Sequence, residues 1–401
     1  MVEIRGKKNT AICYANVVED EAIEQIRRMC DYDCTLGSTI RIMPDVHSGK
    51  GCTIGTTMTV TDRVVPNVVG VDIGCGMYTV NLGKADIDLA LFDVAAHSIP
   101  SGRNVWEGRK EPFDLTILNC FRELKDTKRL VRSLGTLGGG NHFIEIDVAK
   151  DGTKYLVIHS GSRNLGKQVA EYYQNLATNL DRGYGEYLRE REELIRTYKE
   201  QGRKSEIKAA LKSLNWIAEK PSENPRDLCY LTGEYLDNYL RDVEVCQAFA
   251  RRNRELMAEN LLERIGIEAG EAFHTIHNYI DTKEMILRKG AISAREGEKV
   301  LIPINMRDGS VLAVGRGNPE WNYSAPHGAG RIMSRHQAKA TLSLEEYQNA
   351  MKDVFTTSVS AETLDEAPMA YKSLEDIIDV IRDSVDVIDI MKPIYNFKAA
   401  E

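Results

Sequence analysis

The spacing of apolar positions changes character twice along the chain. Up to about residue 165 they come in short runs broken by glycine. Thr56–Val60, Val64–Val71 and Tyr155–Ser160 are rich in β-branched and aromatic residues, which pack well on a pleated surface, and predict strands. One early segment has helical spacing instead: Ile23, Ile26 and Met29 within Glu19–Tyr32. From about Lys167 to Ile267 glycine is scarce, charge is dense, and apolar residues recur every three or four positions, as in Ile207, Leu211 and Leu214. That block predicts helices. Glu219–Asp227, EKPSENPRD, is expected to be a loop between them, since it holds two prolines and an Asn-Pro pair. After Ile267 the glycine-punctuated β pattern returns. A last helix is expected from Ser373, whose hydroxyl and the acid three residues on suit an N-cap, carrying Leu374, Ile378, Ile381 and Val385.

The simplest organisation is one α/β-type catalytic unit, of mixed α+β character, with a helical segment of about 167–267 inserted in it. No repeat of fixed period and no low-complexity stretch divides the chain. The 401 residues are enough to bury a large core without staples, and 42% hydrophobic with 28% charged residues excludes a disordered chain. No apolar run has the length of a membrane span. Acids stand where a signal peptide would be apolar, so a cytoplasmic protein is expected. The eight cysteines form no CxxC pairs, which excludes a zinc ribbon and a disulfide framework. A net charge of −8 argues mildly against broad nucleic-acid binding and leaves room for a local basic groove.

Candidate chemistry gathers at histidines. His97 and His336 have ordinary neighbours, and His274 is ambiguous beside His277. The other five sit in polar or glycine-rich segments: His47 in MPDVHSGKG, His142 in LGGGNHFIEI, His159 in YLVIHSGSR, His277 in HTIHNYID and His327 in SAPHGAGR. Glycine offers nothing to pack and lets backbone approach a ligand closely. One such histidine means little; five suggest a composite site. In VVGVDIGCGM, Asp72 and Cys75 lie three apart in a turn freed by glycines, so both ligand atoms can reach one ion. Thiolate, carboxylate and imidazole together suit Zn²⁺ or Mn²⁺ better than Ca²⁺ or Mg²⁺. A sulfur can also bridge two ions in a phosphoryl-transfer site.

His159-Ser-Gly-Ser-Arg163 and His327-Gly-Ala-Gly-Arg331 share the form H-x-x-x-R, with small residues whose N–H groups can cup a phosphate and an arginine to clamp it. Arg335, four residues beyond Arg331, is expected on the same side of a helix begun there, and the glycines 138–140 read as another phosphate-approach loop. Each alone is equally a plain turn with a surface arginine. Gly161–Gln168 nearly fits a P-loop, but Gln168 lacks the hydroxyl that would bind Mg²⁺. Metal-assisted phosphoryl or nucleotidyl transfer is the chemistry suggested.

In this order, MPDVHSGKG, GVDIGCGM, LGGGNHFIEI, HSGSR, HN and HGAGR resemble the RtcB-type RNA-splicing ligases, from about Pro44 to Lys398. The resemblance implies a mixed α/β body with a central β core and surrounding helices, the whole of 1–401 forming one ligase domain. It implies a GTP- and Mn²⁺-dependent enzyme joining RNA 3′-phosphate or 2′,3′-cyclic phosphate ends to 5′-hydroxyl ends, in RNA repair or tRNA splicing. By motif position, His327 is the nucleophile that takes up GMP. Asp72, Cys75 and His142 hold one Mn²⁺, and Cys75, His159 and His277 the second. Guanylate contacts fall on Asn141, His142, Phe143, Ile144 and Glu145, on His277 and Asn278, and on His327, Gly328, Ala329 and Gly330. Ser310, Tyr371 and Lys398 join them, with the loop Pro303, Ile304, Asn305 and Met306. Asp45, Arg163, Arg331 and Arg335 serve the RNA ends or the triphosphate. An archease-like activator, a monomeric state and no membrane contact complete the expectation.

Two departures mark a divergent branch. The family's Pro-Gly-Ser-Met-Gly loop is Pro303-Ile304-Asn305-Met306-Arg307 here, and Ser-Cys-Ser-His is Ser324-Ala325-Pro326-His327. Pro326 restricts Ala325 to extended geometry and helps set the histidine loop. Two other functions fit the same residues: a two-metal RNA-end phosphatase or cyclic phosphodiesterase, which would not need His327, and a non-catalytic nucleotide- or RNA-binding stress protein, which would not need every ligand.

Overall fold

The computed structural model describes residues 1–49, 51–214, 216 and 221–399. Its helices and strands form a mixed α/β body around two large sheets. The larger sheet has seven strands in the spatial order 272–276, 76–83, 154–160, 143–148, 385–398, 309–315 and 299–305. Every neighbouring pair in it is antiparallel. The six-stranded sheet begins with Val2–Arg5 and Thr10–Cys13 and pairs Ile40–His47 with Ile54–Thr59, then Ile286–Lys289 and Asn278–Asp281.

The early strands and helix follow the sequence pattern closely, at Ile54–Thr59, Lys154–Ser160 and Asp20–Cys30. Val64–Val71 differs from the expected strand. Pairing stops at Val64, and Pro66–Val69 is a short helix with proline in its first turn. Proline has no N–H for a ladder, but its fixed φ suits the first helical position. The run is apolar because Val64, Val65, Val68 and Val69 are all buried, not because it is a strand.

The helical block contains Arg163–Asp181, Tyr184–Glu200, Ile207–Ser213 and Gly233–Ile265. Of the loop expected at Glu219–Asp227, positions 219 and 220 lie outside the described residues, and the remainder is non-helical. The 33-residue helix joins two cores. Val243, Cys246 and Phe249 pack into the core formed with the six-stranded sheet, and Met257, Leu261 and Leu262 into the one behind the larger sheet. Burying each large apolar side chain contributes about 1.5–3 kcal/mol, which fixes this helix against the sheet. It ends at Gly266, whose φ of +68° no β-branched residue would adopt readily.

The last helix starts as expected, with a reciprocal cap between Ser373 and Asp376. It stops at Ile381, however, and Val385 opens the long strand Val385–Lys398 rather than closing the helix. Among the described residues, no helix is long and apolar enough to cross a membrane.

Candidate metal centre and adjoining pocket

Strand direction gathers the metal candidates. Cys75 immediately precedes strand Gly76–Gly83, and His142 immediately precedes Phe143–Val148. His159 lies one residue from the end of Lys154–Ser160, and His277 directly follows Ala272–Ile276. These four strands are adjacent and antiparallel, so two starts and two ends meet at one end of the sheet. The register pairs His159 with both Met77 and Phe143, and Ile276 with Gly76.

Cys75 Sγ is 3.4 Å from His142 Nε2 and 3.3 Å from His159 Nε2. His159 Nε2 is in turn 3.3 Å from His277 Nε2, and His142 Nε2 is 3.1 Å from Asp72 Oδ2. Cys75, His142 and His159 are buried, with their ligand atoms within 4.8 Å of one another. The far nitrogens of two rings face backbone carbonyls: His142 Nδ1 donates to Leu137 O at 2.8 Å and His159 Nδ1 to Asn141 O at 3.0 Å. That leaves lone pairs on both Nε2 atoms, aimed at one thiol, the tautomer a metal ligand needs. His277 Nδ1 is buried without a hydrogen-bond partner among the described residues.

Burial, reinforced by neighbouring histidines, pushes His159 far below the usual imidazole range. Burial does the same to His277, helped by His327. Burial and the charge of Asp72 push the Cys75 thiol well up. Burial would also raise the Asp72 carboxyl, but its contact with His142 and the nearby Arg163 charge outweigh that and hold it low. Neutral imidazoles, a carboxylate and a thiol that gives up its proton only to a cation fit a borderline transition-metal ion. Cys75 stands between the Asp72–His142 and His159–His277 pairs. Gly161 admits Asp72: a Cβ there would lie 2.3 Å from both carboxylate oxygens. Gly138, at φ +90°, similarly leaves room for His142 Nδ1 and the Arg163 guanidinium.

His327 follows strand Ser324–Pro326, which pairs with Ala291–Ser293. Gly290 N–H donates to His277 O, so the two histidine loops are tied together and the ring centroids of His277 and His327 are 5.0 Å apart. Asp45 differs from its expected place among RNA or phosphate contacts. It is wholly buried, and its Oδ2 accepts from His327 Nδ1 at 2.6 Å and from the His327 backbone N–H at 3.2 Å.

A pocket with about 910 Å³ of empty space, part of it at the mouth, opens beside His327. Its lining includes Asn141, Phe143, Glu145, Pro303 to Met306, His327 to Gly330, Tyr371 and Lys398, all anticipated as nucleotide contacts. Arg331 and Arg335 also reach it. Arg331 lies outside the helix that Arg335 begins, with Ser334 as N-cap, so the two arginines converge through a turn rather than along one helix face. Ile144, Asn278 and Ser310 do not line it. Ile144 points to the opposite face of its strand, into the core behind the sheet, as alternation requires. Asn278 Oδ1 instead accepts from Gly290 N–H at 3.0 Å, and Ser310 is buried. His142 and His277 are not part of the lining either. Arg163 is committed to Thr136 Oγ1 and Gly102 O, and the segment resembling a P-loop is helical from Arg163 onward.

Several groups were not anticipated. Glu366, almost fully buried, accepts from Tyr371 Oη at 2.7 Å and pairs with Lys398 Nζ at 2.5 Å, Arg335 at 2.7 Å and Arg331 at 3.5 Å. Burial opposes its charge, yet Lys398 and Arg335 hold the carboxyl down at about 2. Its sequence signal was proximity to Tyr371 in LDEAPMAYK. Asn396 donates to Glu145 Oε2, and Met77 joins the wall beside His47 and His159, two of the five histidines singled out in the sequence. Burial, with Asp147 beside it, pushes Glu145 well up, and Asp147 itself rises to about 6. Behind the centre, Arg254 is fully buried and donates to Gly74 O and Ser160 O, both at 2.7 Å, bracing the turns that carry Cys75 and His159. It was visible, like Asp242 and Asn253, as a polar break in the buried stripe of this helix.

Residues 25–117 and 116–399 match a family model described as tRNA-splicing ligase RtcB. The chain is 32% identical over 399 residues to RNA-splicing ligase RtcB1 of one Escherichia coli strain and 31% identical over 398 residues to RNA-splicing ligase RtcB of Escherichia coli K12. Both alignments cover 88% of this chain and 88% of the relative. It is 26% identical over 435 residues to tRNA-splicing ligase RtcB of Aeropyrum pernix, covering 84% of this chain and 83% of that protein.

Proposed function

The chain belongs to the RtcB family of RNA-splicing ligases, and from that membership we propose that it is a GTP-dependent ligase joining RNA 3′-phosphate or 2′,3′-cyclic phosphate ends to 5′-hydroxyl ends. The observation that carries this reading is the pairing of His327 with Asp45 at the lip of a nucleotide-sized pocket, 5.0 Å in ring-centroid distance from His277 of the metal cluster. With Nδ1–H donated to a buried carboxylate, His327 keeps its lone pair on Nε2. A nucleophilic nitrogen needs that tautomer.

His327 Nε2 attacks the α-phosphorus of GTP, forming the N–P bond as the bond to the β-phosphate oxygen breaks and pyrophosphate leaves. A 3′-phosphate oxygen of the RNA then takes the GMP from the histidine, giving an RNA-3′-ppG end, and a cyclic phosphate is first opened by water. The 5′-hydroxyl attacks the 3′-phosphate and GMP leaves. Asp72, Cys75 and His142 would hold one Mn²⁺, and Cys75, His159 and His277 a second; such ions supply charge neutralisation at the reacting phosphates. Arg331 and Arg335 add fixed positive charge at the pocket, and Glu366 holds them and Lys398 in place. Phe143 and Met77 offer the apolar wall a purine needs, with Lys398 Nζ 5.6 Å from the Phe143 ring centroid.

Labelling the purified chain with α-³²P-GTP and Mn²⁺ tests this reading. An acid-labile, alkali-stable adduct, absent in His327→Ala and Cys75→Ala, is expected, followed by ligation of a 3′-phosphate RNA. Metal-loaded protein that takes label from no nucleotide yet removes RNA-end phosphates would be a phosphatase instead.

A further inference from the structure

Between Ser101 and Arg132 the chain carries eight basic residues against five acidic ones, although the whole protein has a net charge of −8. None of the eight is in an ion pair among the described residues, while one of the five acids is paired outside the segment and two are used as caps. Glu111 is bound by Arg252 at 2.6 Å, Asp126 caps the helix Thr127–Arg132, and Asp114, which caps the turn at Thr116, keeps its charge at the cavity described next. The segment therefore keeps a net positive charge, with its cations free of ion pairs among the described residues.

The segment is also shaped for a ligand. Arg109, Lys128 and Arg132, against the single acid Asp114, line a surface cavity whose apolar side includes Phe113 and Phe121. Arg132 donates through Nη1 to Glu107 O at 3.3 Å, and its Nε is shielded from solvent without an acceptor among the described residues.

A hydrogen-bonded path connects this cavity to the metal cluster. The Arg163 guanidinium packs beside His142 across Gly138, and its Nη2 donates to Gly102 O at 2.8 Å. Gly102 N–H donates to Gly138 O at 2.8 Å. The next residue, Arg103, is exposed, and its carbonyl accepts from Arg129 Nη2 in the helix that carries Lys128 and Arg132. Arginines thus lead from the metal cluster to the cavity, with none of the three in an ion pair among the described residues.

We propose that this face is the track of the RNA strand whose end enters the metal centre, with backbone phosphates on Arg103, Arg109, Lys128 and Arg132 and an unstacked base against Phe113 and Phe121. The proposal rests on the ligase reading for the identity of the strand. Phosphate is the complement of unpaired cations, and an aromatic wall accepts any base without regard to sequence. A protein partner would be expected to bring acids to the same place, and it is the competing outcome below.

The test compares the full-length chain with Arg109→Ala/Lys128→Ala, two exposed side chains outside the pocket and metal cluster. Anisotropy with a 20-nucleotide single-stranded RNA bearing a 3′-phosphate, titrated at several KCl concentrations, reads the contacts. The double variant is expected to bind on the order of tenfold more weakly near 0.1 M salt, with a salt slope smaller by about 1.4, since each single-strand phosphate contact contributes roughly 0.7. Labelling by GTP, and ligation of RNA ends only a few nucleotides long, should match wild type. Unchanged affinity and slope in the variant overturn the track while leaving the ligase reading intact. Loss of binding to an activator protein with RNA affinity unchanged overturns it as well. A wild-type chain that forms no GTP adduct removes the ligase reading, and the salt slope still decides whether this face holds RNA.

Discussion

His327 Nδ1 lies 2.6 Å from Oδ2 of Asp45, a carboxylate wholly shielded from solvent. The second oxygen of that carboxylate has no hydrogen-bond partner among the described residues, so its binding capacity is spent chiefly on one ring and the backbone N–H beneath it. The pair orients an imidazole and fixes its tautomer, the part a buried aspartate plays behind a catalytic histidine.

Asp45→Asn should therefore leave the nucleotide bound and slow its chemistry. The amide fits the same space but loses the charge that stabilises the ring as it becomes substituted. Single-turnover labelling with GTP is expected to slow by about 10²–10⁴-fold, with little change in the GTP concentration needed for half-saturation. A variant that needed much more GTP but reacted at the normal rate would place Asp45 in binding rather than orientation.

Cys75 makes a second, independent prediction. Its sulfur is the atom common to both histidine sets, so Cys75→Ala should lower metal content more than loss of any single histidine, as read by elemental analysis after dialysis against Mn²⁺. Stripping wild type with a chelator should lower the melting temperature, on the order of 5 °C for an ion worth a few kcal/mol. The Cys75→Ala protein should show little further drop. An equal drop in both would mean that metal binds elsewhere.

Sequence singled out candidate residues better than it showed how they meet. Cys75, His142, His159 and His277 stood out because glycine or polar neighbours gave them no packing role. Their meeting at one sheet end depends on strand order, with 76–83 between 272–276 and 154–160, and such non-local pairing leaves no trace in local periodicity. Contiguous motifs were also over-read. Phe143 and Glu145 face the pocket, but Ile144 between them faces the core, because a strand alternates. Asp45 looked like a phosphate or RNA contact until its burial assigned it to His327. Glu366 escaped notice because a buried acid is legible only through its partners, and Lys398, Arg331 and Arg335 come from distant segments.

That hub predicts a specific acid dependence. Lys398 and Arg335 hold the folded Glu366 carboxyl at about 2, against an ordinary value of 4.5. A depressed carboxyl stabilises the fold fully above its unfolded value and loses that contribution as pH falls through the folded one. The contribution, about 3 kcal/mol from the size of the shift, should be complete above pH ~5 and fade between roughly 4.5 and 2. Urea unfolding of wild type and Glu366→Gln at a series of pH values checks the sign. The difference should be largest near neutrality, where loss of one partner from a buried pair costs about 3–5 kcal/mol, and should narrow in acid. A difference that widened in acid would contradict the pairing.

Asn305, where the family has a serine, carries the last prediction. Its Nδ2 donates to Asp308 Oδ2 at 2.8 Å, and its Oδ1 accepts from the N–H groups of Arg307 and Asp308 at 3.0 and 2.9 Å. The side chain closes its own turn, and Ile304 before it is buried, so this wall of the pocket is braced where a Gly-Ser pair would leave it free to adjust. Asn305→Ala removes three hydrogen bonds of about 0.5–1.5 kcal/mol each. Only the part that orders the wall reaches the nucleotide, so the GTP concentration for half-maximal labelling should rise on the order of tenfold at an unchanged saturating rate. Asn305→Ser keeps an acceptor for the turn N–H groups and should fall between the two. If Asn305→Ala labels with wild-type GTP dependence, the turn does not shape the pocket, and the departure from the family loop is neutral for nucleotide binding.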